Sequence, residues 1–244
     1  MKGYVSLLAL ASRSSIYKIS AILLAMGAFQ GVLFFQCVRK VAEINPGASL
    51  EGLLSESHIA LVAAVAFAAV CVVLSMTGTE FSGSKVSYTL MGLRVRERDG
   101  ALLWSLYNGM CFLLFWAFEA AVVLLLSRWY LSGLDPSLYH SQSLLLACYR
   151  NEFLHGLVPL EQYSLWIRNL LLAAALGIGA SRFSFLQRRG KKGFGIVILG
   201  VLTLVFFPQV MGSTVTDSFI GLICLIQIIA GIAGFWGGEE DGKQ

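Results

Sequence analysis

The stretch TEFSGSKVSYTLMGLRVRERD, residues Thr79 to Asp99, is the most polar and charged long interruption between two strongly apolar runs. The run before it ends at Met76, and the run after it begins at Ala101. Apolar runs of about 20 residues are long enough to cross the hydrocarbon core of a bilayer as helices. If both runs cross, Thr79 to Asp99 is a loop that meets water and whatever is dissolved in it.

The composition favours an integral membrane protein. Hydrophobic residues make up 57% of the 244 residues and charged residues only 13%. Soluble globular chains carry roughly 45 to 50% apolar and about 25% charged residues. Both deviations exclude an ordinary soluble domain.

Apolar runs divide the chain into six candidate spans, which predicts an all-α integral membrane protein. The prediction is a single transmembrane domain, residues 1–244, with spans at 16–38, 58–76, 101–126, 164–180, 194–207 and 218–236. The preceding MKGYVSLLALASRSSIYK predicts an N-terminal amphipathic helix on the membrane surface. The fifth run is short and is followed by Pro208. An alternative is therefore five spans, with one weak helix in the membrane interface.

The distribution of lysine and arginine predicts the orientation, because positively charged loops stay in the cytoplasm. With a cytoplasmic amino terminus, most of the 18 lysine and arginine residues fall on the cytoplasmic side. The outer side holds Arg39, Lys40, Arg128, Arg150 and Arg168. We expect a multi-pass protein of the cell membrane with both termini in the cytoplasm. The basic RRGKKG at 188–193 is expected to meet anionic lipid rather than nucleic acid.

The long outer segment, residues 127–163, contains SLLLACYRNEFLHGLVPL. Its apolar residues recur at near-helical spacing, which predicts a helix along the outer surface. Glycines inside the spans predict close helix seams. They are Gly177, Gly179, Gly231 and Gly234.

The sequence offers no recognisable catalytic or metal-binding motif. A phosphate-binding GxxxxGK with Ser or Thr, GxSxG and HExxH are all absent, and the five cysteines form no CxxC pair. We expect no enzymatic activity, no cofactor and no metal ion.

Glu119 is the one acidic residue deep inside a predicted span. A carboxylate there is costly, which indicates either a functional group or a structural hydrogen bond to another span. The candidate partners are Gln30, Gln36, Asn108 and Gln227. Proton-coupled transport is a third hypothesis, although no second buried charge completes a relay.

Within the opening loop, Val86, Leu90 and Leu93 form one apolar stripe before a charged end. A short amphipathic helix of this kind suits docking into a groove on a soluble partner. Together with six spans and an amino-terminal surface helix, this layout resembles the permease subunits of type-2 ABC transporters. The segment YTLMGLRVRERDGALLWSLYNGMCFLLFW, residues 88–116, is similar to the passage from coupling helix to third span in that family. Only about ten residues separate the last two spans, where the family often has a re-entrant helical element.

The resemblance implies a cytoplasmic coupling helix between spans two and three that receives force from separate nucleotide-binding ATPase subunits. The residues to which it assigns this contact are Glu80, Phe81, Tyr88, Leu90, Leu93, Arg94 and Arg98. The implied function is an ATP-driven exporter of a peptide, lipid-like or drug-like substrate, assembled with a second copy or a related permease. The alternative is a non-transporting accessory or scaffold subunit of a transporter complex.

Overall fold

The structure is a computed structural model that describes residues 2–44, 49–77, 97–133, 143–160, 162–188, 190–191, 193–207 and 214–241. Within these ranges the regular structure consists of nine α-helices and no strand. The helices are α1 (Lys2–Ile44), α2 (Leu50–Glu56), α3 (Ile59–Met76), α4 (Glu97–Ser132), α5 (Ser143–Arg150), α6 (Glu152–Leu157), α7 (Tyr163–Arg188), α8 (Gly195–Phe206) and α9 (Thr214–Asp241).

The helices confirm the predicted all-α fold, and five of those described are long and apolar enough to cross a membrane, in agreement with the membrane class. These candidate spans are Ser15–Val41, Ile59–Met76, Arg98–Ser132, Tyr163–Gln187 and Val215–Trp236. The fifth predicted span corresponds to α8, an apolar helix of only 12 residues. At about 1.5 Å per residue, α8 is roughly 18 Å long, whereas a bilayer core is roughly 30 Å thick.

The outer faces of these helices remain apolar. Large hydrophobic side chains such as Phe29, Val65 and Ile229 are about two-thirds exposed within the chain, at 65%, 64% and 66%. Water would disfavour so much exposed apolar surface, whereas lipid chains accept it. The exposed faces therefore agree with the membrane class.

The predicted amino-terminal surface helix is not separate from the first span. Helix α1 runs for 43 residues from Lys2 to Ile44 without a break. No proline or glycine lies between Gly3 and Gly27, so the sequence supplies no helix breaker at the predicted boundary.

Helices α1 and α4 run in the same direction. In the first half of each helix, the hydroxyl groups of Ser15 and Tyr107 are 2.8 Å apart. Further along both helices, Gln30 Nε2 donates a hydrogen bond of 2.7 Å to Glu119 Oε1. Because the second contact lies further from the start of both helices than the first, the helices are parallel.

Helix α7 runs opposite to α4. The rings of Trp116 and Trp166 lie 5.1 Å apart, near the beginning of α7. At the other end of α7, Ser181 Oγ donates a hydrogen bond of 2.9 Å to the carbonyl oxygen of Ala101. Between these contacts Gly177 packs against the α4 backbone, as expected for a glycine seam.

Helix α3 shares the direction of α7. It begins beside Gln30, whose Nε2 lies 3.4 Å from the carbonyl oxygen of Ile59. It ends beside α7, where Ser184 Oγ donates a hydrogen bond of 2.7 Å to the carbonyl oxygen of Ser75.

Helix α9 is parallel to α7. Arg168 Nη1 contacts Asp217 Oδ1 at 2.9 Å near the start of both helices. Further along, Arg182 Nη1 donates a hydrogen bond of 3.0 Å to the carbonyl oxygen of Ala230.

Helix α8 lies between α7 and α9 in the chain and runs opposite to both. Its first residue, Gly195, packs against the side chain of Gln227 in α9. Just after its last residue, the Phe207 ring lies 5.9 Å from the Arg168 guanidinium, near the start of α7. In the described part of the chain, the direction therefore alternates through α1, α3, α4, α7, α8 and α9.

These directions define two ends of the bundle. At one end α3, α7 and α9 finish and α4 begins, with the Arg98 guanidinium 5.4 Å from the Trp236 ring. We call this the basic end, because Arg98, Arg182 and Lys191 lie there. The opposite end, where α3, α7 and α9 begin, is called the far end, and it holds α2, α5 and α6.

Candidate functional site

Glu119 is buried between helices near the far end. Its side chain is 2% exposed, and its Oε1 accepts the 2.7 Å hydrogen bond from Gln30. Gln30 is one of the four partners that the sequence suggested, and it is itself fully buried. The structural hydrogen bond predicted for Glu119 is therefore present.

The hydrogen bonding of this pair is incomplete. Glu119 Oε2 and Gln30 Oε1 have no hydrogen-bond partner among the described residues. Buried polar atoms are normally satisfied, so an unsatisfied carboxylate oxygen indicates a site that another group can complete.

A cavity of about 100 Å³ lies beside Glu119, between α3, α4, α6, α7 and α8. We call it the Glu119 cavity. Its walls consist of six aromatic rings, eight aliphatic side chains and three polar side chains. The rings are Phe67, Phe112, Phe115, Trp116, Phe153 and Phe207, and the polar side chains are Glu119, Asn169 and Thr203.

Two hydrogen bonds attach the segment around α6 to the helices that wall the cavity. Trp116 Nε1 donates to the carbonyl oxygen of Leu157 at 2.9 Å, and Asn169 Nδ2 donates to that of Gly156 at 3.0 Å. The helix itself begins with Asn151 as its cap, whose Oδ1 accepts from the backbone N–H of Leu154 at 3.0 Å. The predicted outer helix thus consists of two short helices, α5 and α6, that meet at Asn151.

A second, larger cavity of about 670 Å³ lies at the far end between α2, α3, α5 and α6. We call it the far cleft. Its polar lining includes Glu51, His58, Arg150 and Glu152, with Arg150 Nη1 lying 3.5 Å from Glu51 Oε1. Ala60 and Phe153 line both the far cleft and the Glu119 cavity.

Arg168 and Asp217 form a buried ion pair at the far end, with their side chains 2% and 4% exposed. Arg168 also donates to Asn169 Oδ1 at 3.0 Å, and Ser164 Oγ lies 3.3 Å from Asp217 Oδ2. From the sequence, Arg168 is expected to be only a topology signal, and no role is predicted for Asp217. The sequence signal for this pair is that Arg168 and Asp217 each lie close to the start of an apolar run.

Only one of the predicted coupling residues falls in the described part of the chain. Glu80, Phe81, Tyr88, Leu90, Leu93 and Arg94 lie outside the described residues. Arg98 is at the start of α4, where its Nε lies 3.4 Å from Asp99 Oδ1. Arg98 and Glu119 belong to one helix but are 21 positions apart, about 32 Å at 1.5 Å per residue.

Among the described residues, no group of three or more His, Cys, Asp or Glu side chains could hold a metal ion. The five cysteines are all free thiols. Burial raises the pKa of the Cys148 thiol in α5 above its ordinary value.

Comparisons with protein-family models, with curated proteins and with solved structures find no match to this chain. The function therefore has to be argued from the chain's own residues and geometry.

Proposed function

We propose that this chain is the permease subunit of an ATP-driven exporter of the type-2 ABC kind, working with separate nucleotide-binding subunits. The observation that carries the proposal is the alternating direction of α1, α3, α4, α7, α8 and α9. Six alternating helices match the layout of such a permease, with both termini on one side and the loop Thr79 to Asp99 on that same side.

The alternation supports α8 as the sixth crossing. Because α7 and α9 are parallel, the chain must return between them, and α8 is the described segment that does so. A helix of roughly 18 Å is shorter than the bilayer core, but residues on either side of α8 and local thinning of the bilayer can make up the difference.

The charge distribution supports a cytoplasmic basic end. The chain leaves α3 and begins α4 at this end, and the connection from α7 to α8 carries the basic residues 188–192 there. Positively charged loops are retained in the cytoplasm. We propose that the connection from α3 to α4, which carries the coupling residues Glu80 to Arg98, faces the cytoplasm, where ATP is available.

The chain itself carries no phosphate-binding loop, so a partner must supply the energy. ATP-driven closure of two nucleotide-binding subunits moves the coupling helix and switches the spans between inward-open and outward-open states. We propose that the permease works as a homodimer or beside a related permease. The cargo is a peptide, a lipid-like or a drug-like molecule.

The experiment is purification of the tagged chain in mild detergent, with identification of the proteins that accompany it and measurement of ATP hydrolysis. We expect an ATPase with a phosphate-binding loop in the complex. Replacing Glu80, Phe81 and Arg94 with alanine should reduce transport-linked ATP hydrolysis, because the force no longer reaches the spans. Lys192→Ala is the matched control, since it removes a charge from the other basic loop.

Absence of any such ATPase from the intact complex would overturn the proposal. An ATPase that accompanies the chain, with hydrolysis unaffected by the three substitutions, would favour the accessory or scaffold alternative.

A further inference from the structure

The polar side chains of the Glu119 cavity differ in how fully they are bonded. Asn169 is satisfied, since its Oδ1 accepts from Arg168 and its Nδ2 donates to Gly156. Thr203 Oγ1 donates to the carbonyl oxygen of Leu199 at 2.8 Å. Among the polar lining groups, Glu119 Oε2 is the atom without a hydrogen-bond partner in the described part of the chain. Among these polar side chains, the Glu119 carboxylate is therefore the group left to bond a polar ligand.

The charge around the cavity favours a positive ligand. Its described lining contains no lysine, arginine or histidine. The nearby guanidinium of Arg168 is already bonded to Asp217. A buried carboxylate without a cationic partner is unfavourable in an apolar environment, and a ligand with positive charge removes that penalty.

The walls of the cavity indicate which kind of cation fits. Aromatic faces attract cations, and cages of aromatic rings bind methylated ammonium groups. A metal ion such as Ca²⁺ or Mg²⁺ needs six or more oxygen ligands, counting water, and this apolar cavity offers a single carboxylate. The volume of about 100 Å³ suits a small organic group.

We propose that the Glu119 cavity binds a small organic cation, an amine or quaternary ammonium group. The Glu119 carboxylate pairs with its charge, and rings such as Phe112, Phe115 and Trp116 contact its methyl groups. The identification of this cation as the charged group of the transported molecule rests on the proposed function. Binding of the cation by the isolated chain does not depend on the proposed function.

The far cleft adjoins the Glu119 cavity. Ala60 and Phe153 line both spaces, so the Phe153 side chain forms part of the wall between them. Its ring lies 6.4 Å from that of Phe207, another lining residue.

The test is calorimetric titration of the purified chain in detergent with choline. The comparison ligand is the neutral isostere of choline, in which a carbon atom replaces the ammonium nitrogen. We expect choline to bind and the isostere to bind at least about tenfold more weakly, because a desolvated charge pair distinguishes the two ligands. Glu119→Gln keeps the shape and the acceptor for Gln30 but removes the charge, and should weaken choline binding by about tenfold or more.

Glu56→Gln is the matched control, because Glu56 is an exposed carboxylate that lines neither the far cleft nor the Glu119 cavity and should leave the affinity within about twofold of the unmodified chain. Phe153→Ala removes an aromatic ring from the cavity wall and should weaken choline binding in the same titration, because aromatic faces attract cations. This second variant leaves Glu119 intact and so remains informative if Glu119→Gln fails to fold.

Three results would overturn the inference. The first is the absence of saturable choline binding up to about ten millimolar, a concentration that largely fills a site with a Kd of about one millimolar. The second is equal binding of the neutral isostere. The third is unchanged choline affinity in folded Glu119→Gln. Choline binding by a chain that associates with no ATPase would instead reject the proposed function and leave the cation site standing.

Discussion

Gln30 is the described side chain that hydrogen-bonds to the buried Glu119 carboxylate. Replacing it with alanine leaves both carboxylate oxygens without a partner inside the bundle. We expect Gln30→Ala to lower the free energy of unfolding by about 1–3 kcal/mol, the usual effect of orphaning a buried polar group. Thermal unfolding in detergent measures the change.

The control for Gln30→Ala is the double variant Gln30→Leu with Glu119→Leu, which removes both polar groups together. Its stability should be closer to that of the unmodified chain than the stability of Gln30→Ala is. If the double variant is the less stable of the two, the polar pair stabilises the bundle in a way that one hydrogen bond does not explain.

Arg168 and Asp217 lead to a second prediction for individual residues. Asp217→Ala leaves a buried guanidinium without its carboxylate and should cost about 3–5 kcal/mol of stability. Glu51→Ala removes the exposed partner of Arg150 and should cost about 1 kcal/mol or less. Equal losses in thermal stability for the two variants would show that burial does not strengthen the Arg168 pair.

The sequence could identify Glu119 but not its complete surroundings. A lone acid in an apolar run is recognisable because its burial is costly, yet periodicity does not choose among Gln30, Gln36, Asn108 and Gln227. Arg168 and Asp217 were harder to recognise as a pair, because each lies near the start of an apolar run, where a charge usually marks the membrane boundary. Their pairing depends on the parallel packing of α7 and α9, which no local pattern specifies.

At the scale of elements, the positions of the five long spans were predictable from the sequence, whereas the continuity of α1 and the direction of α8 were not. Apolar runs located the starts of the five long spans to within three residues and their ends to within seven, because the bilayer core sets a minimum length for a span. The continuation of the amino-terminal segment into the first span as one helix could not be predicted. An amphipathic pattern shows which face of a helix is apolar, but it does not show where the helix ends. The direction of α8 became clear only from its contacts with Gln227 and Arg168.

The seam between α4 and α7 depends on the missing side chain of Gly177. A Cβ atom there would lie 2.5 Å from the backbone nitrogen of Gly109 and 2.7 Å from the carbonyl oxygen of Ser105. Because backbone atoms cannot rotate away, Gly177→Ala should force the helices apart and cost about 1–3 kcal/mol. Thermal unfolding and cross-linking between the two helices measure the effect.

Gly31→Ala is the control for the seam, because a Cβ atom at Gly31 meets nothing within 4 Å. This substitution should be neutral or stabilise α1 by about 0.5–1 kcal/mol through better helix propensity. A loss of stability in Gly31→Ala equal to that in Gly177→Ala would contradict the close packing of the seam.

At the scale of the whole molecule, the sidedness of α8 separates six crossings from five. The connection between α7 and α8 lies at the basic end, whereas Phe207, just after α8, lies beside Arg168 at the far end. If α8 crosses the membrane, residue 192 is therefore cytoplasmic and residue 213 is outside. The experiment introduces Lys192→Cys or Ser213→Cys separately into a chain whose five native cysteines are replaced by serine.

A maleimide that cannot cross membranes should label the Ser213→Cys chain in intact cells, because residue 213 faces outward. It should label the Lys192→Cys chain only after the membrane is permeabilised. The serine-substituted parent is the control for background labelling, and folding of each variant is verified by its elution in detergent. Labelling of both chains from the same side would mean that α8 returns without crossing. In that case α7 and α9 could not both span the bilayer in the same direction, and the six-crossing permease would be wrong.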